Sequence, residues 1–285
     1  MAKRKVVYEN FKSINDLLST MEKRPVRNQA FNGKDNLASQ RISDDERPWS
    51  GTNTYNEAME IMKTGYKDPL EKMKKAILKI GQKDKANRPK LKNDFVGFVP
   101  HVPHTIMGLP MTMINKEKQA HKANTIHLFY GISTASAISP NDMVKGGINF
   151  ISLVNSLEKQ GYRVKIDILS NFATNKTFSS FSVNVKEYGQ KLNLLKLTFP
   201  LVHPSMLRRI AFKWLETNLE LKDKDFTMGY GTPLAHLMNY DVMKESDYLK
   251  DHGIIKNDNT FYCTVYSAMK ARDIESLAKT IGITK

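Results

Sequence analysis

The sequence predicts an α/β protein with a doubly wound, mostly parallel sheet carrying one antiparallel hairpin, preceded by a helical N-terminal extension. Two observations carry that expectation. First, an apolar run, Ile126-His127-Leu128-Phe129-Tyr130, is followed by a turn and an amphipathic stretch reaching Gln160; beyond Gly161, the residues Tyr162, Val164, Ile166 and Ile168 alternate with Arg163, Lys165 and Asp167. Strand, helix and strand in that order pair in parallel through a right-handed crossover. Second, Phe181, Val183 and Val185 alternate with polar residues, Tyr188-Gly189-Gln190 offers a turn, and Leu192 to Phe199 is expected to return as the second strand of a hairpin.

Taken from the start, residues 1–48 read as a basic flexible arm. A short helical pattern around Phe11, Ile14, Leu17 and Leu18 gives way to a polar run ending at Arg47-Pro48. Residues 49–124 read as a helical and irregular region. One helix starts at the hydroxyl-rich Ser50-Gly51-Thr52-Asn53-Thr54 and stops at Gly65, with Tyr55, Ala58, Met59 and Met62 on one face. A second runs from Asp68-Pro69 through Leu70, Met73, Ile77 and Ile80. Between Asp94 and Thr112, three prolines forbid a long helix while Phe95, Val96, Phe98, Val99, Ile106, Met107 and Leu109 call for burial, so irregular segments or edge strands are expected.

Residues 125–285 form the main domain. Ser139-Pro140-Asn141-Asp142 has the order of an N-cap, a first-turn proline and a dipole-matched carboxylate. After the hairpin, helices are expected near 204–221, 233–239 and 274–281, with a strand at 260–266.

Composition narrows the function classes. The 285 residues carry a formal charge of +15, and 40% are hydrophobic, enough for a substantial core. A single cysteine, Cys263, allows no internal disulfide. The start of the chain is too short of apolar residues for a signal peptide, and no window approaches a membrane span, so no membrane partner is expected. The charge falls unevenly, +8 over 1–100, +6 over 101–200 and +1 over 201–285. Its densest part holds Lys72, Lys74, Lys75, Lys79, Lys83, Lys85, Arg88, Lys90 and Lys92 against Glu71 and Asp84. Such a stretch attracts polyanions through counterion release, which makes a nucleic-acid backbone one candidate partner.

The order of elements over 126–169 resembles the opening of a von Willebrand factor A domain. Gly229-Tyr230-Gly231-Thr232-Pro233-Leu234 is similar to the segment in which those domains place a metal-site threonine, and Phe261 to Tyr266 followed by Ile274 to Gly282 looks like their last strand and helix. The resemblance covers about 125–285. It implies a metal-ion-dependent adhesion site built on Asp-x-Ser-x-Ser after the first strand. Here that turn reads Gly131-Ile132-Ser133-Thr134-Ala135-Ser136: Ser133 and Thr232 match, but Gly131 replaces the aspartate and Ala135 the second serine. Without the carboxylate, neutral hydroxyls must offset the dehydration of Mg²⁺, so a degenerate site without a metal cofactor is expected. Ser133, Ser136 and Thr232 then mark a loop face for binding a protein, at the carboxyl ends of the strands.

The whole chain also resembles uncharacterised proteins of tailed bacteriophages, through Trp49-Ser50-Gly51-Thr52, the helix from Lys145 to Tyr162 and His203-Pro204-Ser205-Met206-Leu207-Arg208-Arg209. This implies a viral protein located in the infected cytoplasm or in the virion. Arg208 and Arg209 in the first turn of a helix oppose its dipole, which makes them candidates for holding an anion there. No catalytic constellation is legible: there is no Gly-x-Ser-x-Gly elbow, no phosphate-binding loop and no dinucleotide fingerprint, and His101-Val102-Pro103-His104 lacks zinc-site spacing. The expected function is that of a non-enzymatic protein-protein interaction or virion-associated structural module.

Overall fold

The computed structural model describes residues 4–26, 50–83, 91–116, 124–135, 138–221, 230–257 and 259–283. Its centre is a six-stranded sheet in the order β1-β7-β6-β5-β9, with the two-residue β8 paired to the end of β6. In chain order the elements begin with β1 (Lys5–Phe11), α1 (Ile14–Lys23), α2 (Tyr55–Thr64) and α3 (Leu70–Lys83). A small three-stranded sheet follows, formed by β2 (Leu91–Asp94), β3 (Val99–Pro100) and β4 (Met113–Lys116) around the short α4 (Val102–Ile106). Then come β5 (Thr125–Gly131), α5 (Pro140–Lys159), β6 (Arg163–Ala173) and β7 (Thr177–Lys186). The chain continues through α6 (Leu194–Val202), a π-helical turn at Met206–Ala211 that runs into α7 (Phe212–Thr217), and β8 (Thr232–Pro233). It finishes with α8 (Leu234–Leu237), α9 (Val242–Asp251), β9 (Thr260–Thr264), α10 (Val265–Lys270) and α11 (Ile274–Thr280).

The crossover β5-α5-β6 forms as its periodicities dictate. Ser139 accepts from the Asp142 backbone N–H at 3.2 Å to start α5, and β5 pairs in parallel with both β6 and β9. Helices cover both faces of the sheet. On one, Phe150 of α5 packs on Tyr130 at 4.4 Å between ring centres, and Trp214 of α7 packs on Phe181 of β7 at 5.0 Å. On the other, Tyr248 of α9 meets Phe178 of β7 edge-on at 5.1 Å. Burying an aromatic side chain of this size stabilises by roughly 1.5–3 kcal/mol, so these contacts fix the layering.

Three expectations are corrected. The described start of the chain is not an arm: β1 pairs in parallel with β7, Lys5 opposite Thr177 through Phe11 opposite Val183, and forms one edge of the sheet. Glu9 anchors it, receiving two hydrogen bonds from Arg24, both 3.0 Å, and one from the Trp214 indole at 2.8 Å. Most of the rest of that region, 27–49, lies outside the described residues. The hairpin is β6 with β7, turning at Thr174–Lys176; Leu194–Val202 is a helix capped by Asn193, which accepts from Lys196 N at 3.2 Å. The apolar run is buried on nearly all sides from Leu197 to Val202, so its periodicity does not separate strand from helix. Finally α9, unmarked in the sequence reading, covers the second face through Val242, Glu245, Ser246 and Leu249. Among the described residues no helix is long and apolar enough to cross a membrane.

Candidate functional site

The loop face at the carboxyl ends of β5 and β9 is built on the far end of β6. Ser133 is buried; its Oγ accepts from the Asn171 backbone N–H at 2.8 Å and lies 3.3 Å from Ser170 Oγ. Thr232 reaches the same strand end, since β8 pairs with Phe172 and Ala173 on the edge of β6 that β7 leaves open. The fold therefore gathers Ser133 and Thr232 around residues 170–173, while Ser136 lies outside the described residues.

The space beside Gly131 is filled by Tyr262, which the sequence reading missed. A Cβ at Gly131 would run into the Tyr262 hydroxyl and meet its ring carbons at 2.8 and 2.9 Å. That hydroxyl accepts from Asn171 Nδ2 at 3.0 Å and donates to Glu245 Oε2 at 3.3 Å, and Asn171 Oδ1 in turn accepts from the Leu234 backbone N–H at 3.2 Å. The cluster is buried: Tyr262 is 2% and Glu245 1% exposed. Burial pushes the Glu245 carboxyl up to about 8, with Asp241 adding to the rise and the Tyr262 hydrogen bond opposing it. Burial likewise holds the Tyr262 hydroxyl well above its usual value and pushes the Cys263 thiol up to about 12.

At neutral pH this is a network of neutral groups. Mg²⁺ needs hard, preferably charged oxygens and retains several waters. The residues beside Gly131 do not fit it: a phenol ring occupies the position, and the Glu245 carboxyl, whose neutral form burial favours, accepts from that phenol through Oε2. Among the described residues no three His, Cys, Asp or Glu side chains are grouped to hold a metal ion. One signal for the cluster was present in the sequence: Glu245 sits on the apolar stripe Val242, Ser246, Leu249, where a charged residue at helical spacing marks a buried acid.

A second polar cluster joins two segments singled out in the sequence. Ser205 Oγ donates to the Ser50 carbonyl at 2.6 Å and lies 2.9 Å from Thr52 Oγ1, and Ser50 Oγ donates to the Thr52 carbonyl at 2.6 Å. Arg209 Nη2 donates to the carbonyls of Thr52 and Asn53 at 3.0 and 2.8 Å. His203 stacks on Phe199 at 4.7 Å, accepts from the Ser205 N–H at 3.2 Å, and is pushed down to about 4 by burial. Arg208 and Arg209 are both buried within the π-helical turn, and burial lowers Arg208 to about 10. This corrects the expectation that they offer themselves to an outside anion: Arg209 tethers residues 52–53 to the body instead.

The basic stretch is split. Lys72, Lys74 and Lys75 are exposed on α3, with Lys74 paired to Glu71 at 2.7 Å; Lys92 lies on β2, paired to Asp94 at 3.1 Å. Lys79 and Lys83 lie further along α3, and Lys85, Arg88 and Lys90 fall outside the described residues.

Fold and site together define a mixed α/β protein whose strand-end loops surround a sealed, uncharged polar cluster. The chain belongs to the family described as a domain of unknown function, DUF7192, whose model matches residues 2–285. No curated protein and no solved structure matches it.

Proposed function

We propose that this protein is a non-enzymatic bacteriophage component, an interaction or virion-associated structural module that binds another protein through the loop face of a von Willebrand A-like domain. It would act in the cytoplasm of an infected bacterium or in the virion. The observation that carries the reading is the Tyr262 ring beside Gly131. It replaces an ion-binding pocket with packed, internally hydrogen-bonded groups, so recognition falls to the loop surface around Thr134 and Thr232. Affinity purification from infected cells, followed by quantitative mass spectrometry, tests this: Thr232→Arg is expected to remove a protein that accompanies the wild type. An unchanged set of accompanying proteins would count against the loop face.

A second reading rests on the exposure of Lys72 and Lys75 on α3. A phosphate backbone held there would be released steeply by salt, and Lys72→Glu with Lys75→Glu would weaken binding evenly across sequences. A gel shift over a salt series separates it from a packed protein contact, which loses far less.

A further inference from the structure

The small sheet β2-β4-β3 with α4 was expected to bury its apolar residues, and it does the opposite. Ten of the sixteen large apolar side chains exposed among the described residues lie between Leu91 and Met111. Phe95 is 68% exposed, Val96 75%, Ile106 80% and Met107 69%, with Phe98 and Val102 beside them. The backbone beneath is built, not slack. Phe98 N donates to the Ile114 carbonyl at 3.0 Å, His101 N to Thr112 O at 2.7 Å, and Gly97 lies so close to the Ile114 carbonyl that no Cβ fits there. Soluble monomers rarely leave an apolar patch larger than a few hundred Å² uncovered, and those that do commonly use it.

Charge indicates what covers it. The stretches at the two ends of this flap, 83–92 and 116–122, hold eight Lys and Arg residues against Asp84 and Glu117. The chain that leads into the apolar surface and out of it is thus strongly positive in sequence. A second copy would bring the same charge to the contact, within a chain of net +15. A lipid bilayer would match the charge but not the backbone. β2 and β3 are open edges of their sheet, whose unpaired N–H and C=O groups hydrocarbon cannot satisfy, and residues 91–116 hold neither Trp nor Tyr to sit at a headgroup boundary.

We infer that the flap formed by residues 91–116 is a docking surface for a partner protein that presents an apolar groove bordered by carboxylates. Phe95, Val96, Phe98 and Ile106 enter the groove, and the exposed Lys92 faces its acidic border. This surface is distinct from the loop face proposed above, and the two fail separately.

The test uses the full chain with a photo-reactive benzoylphenylalanine at Ile106, irradiated in the cells that produce it. The cross-linked protein is identified, purified and titrated against the full chain by calorimetry. Support requires an acidic partner whose affinity falls at least about tenfold with Ile106→Glu and with Phe95→Ser, as expected when a central apolar anchor is lost. The affinity must also fall between about 50 and 500 mM salt, less steeply in Lys92→Glu, and be unaffected by Thr232→Arg. Unchanged thermal unfolding of Phe95→Ser separates lost contact from lost fold. The inference is overturned by cross-linking to another copy of this chain, by no cross-link, by a partner indifferent to both apolar substitutions, or by co-sedimentation with phosphatidylethanolamine–phosphatidylglycerol vesicles that Ile106→Glu abolishes.

Discussion

Tyr262 takes the place of a side chain at Gly131. The two are brought together by the parallel pairing of β5 with β9, in which Phe129 lies opposite Tyr262 and Gly131 opposite Thr264. A methyl group at 131 would have to displace a buried phenol that is hydrogen-bonded on two sides. Gly131→Ala is therefore expected to destabilise the protein by about 1–3 kcal/mol, the usual range for overpacking, measured by urea unfolding. Introducing a carboxylate there, as Gly131→Asp, should yield no Mg²⁺ binding in calorimetry, because the ring still fills the space; micromolar binding by that variant would refute the sealed-site account.

Glu245 makes stability fall as pH rises. The unfolded carboxyl releases its proton near 4.5, whereas the folded one holds it to about 8. Between those values unfolding releases a proton, so each step upward in pH favours the unfolded chain, and above about 8 the loss is complete. Glu245→Gln keeps the neutral shape and should remove this slope, raising Tm at pH 8 by at least about 4 °C. Equal pH profiles for the two proteins would contradict a buried, protonated Glu245.

His203 acts at the other end of the scale. Burial lowers it from 6.5 to about 4, so between those values the unfolded chain takes up a proton that the folded one refuses. Stability contributed by the neutral ring is present above pH 6.5 and lost as pH falls toward 4. Thermal unfolding of Glu245→Gln should then decline below pH 6.5 with little change just above it. A flat profile over that acid range would show His203 to be accessible to solvent.

Arg209 secures the segment before α2. Arg209→Met leaves the Thr52 and Asn53 carbonyls without the donor that serves them both, at a cost of about 1–3 kcal/mol. Ser205→Ala removes the hydrogen bond to the Ser50 carbonyl and should cost less. In limited proteolysis both variants are expected to be cut sooner near residues 50–53 than the wild type, Arg209→Met the faster. Identical cleavage rates would mean that the segment is held by other contacts.

The sequence by itself determined what depends on neighbours along the chain. The β5-α5-β6 crossover was legible because the alternation of 162–168, the cap at Ser139 and the stripe of α5 each lie within a few residues, and local periodicity records which face is buried. Only the tertiary structure decided the rest. β1 finds its partner about 172 residues away in β7, and nothing local marks a seven-residue polar-flanked strand as the edge of a distant sheet. Ser50 and Ser205 meet across 155 positions. Tyr262 reads as an ordinary strand residue until β9 is set beside β5, and the spacing of Glu245 with Val242 and Leu249 does not name Tyr262 as its partner until α9 lies over that strand. The physical reason is common to all four: a side chain's burial and charge state are set by what stands across from it, and a linear sequence gives its neighbours along the chain but not across the sheet.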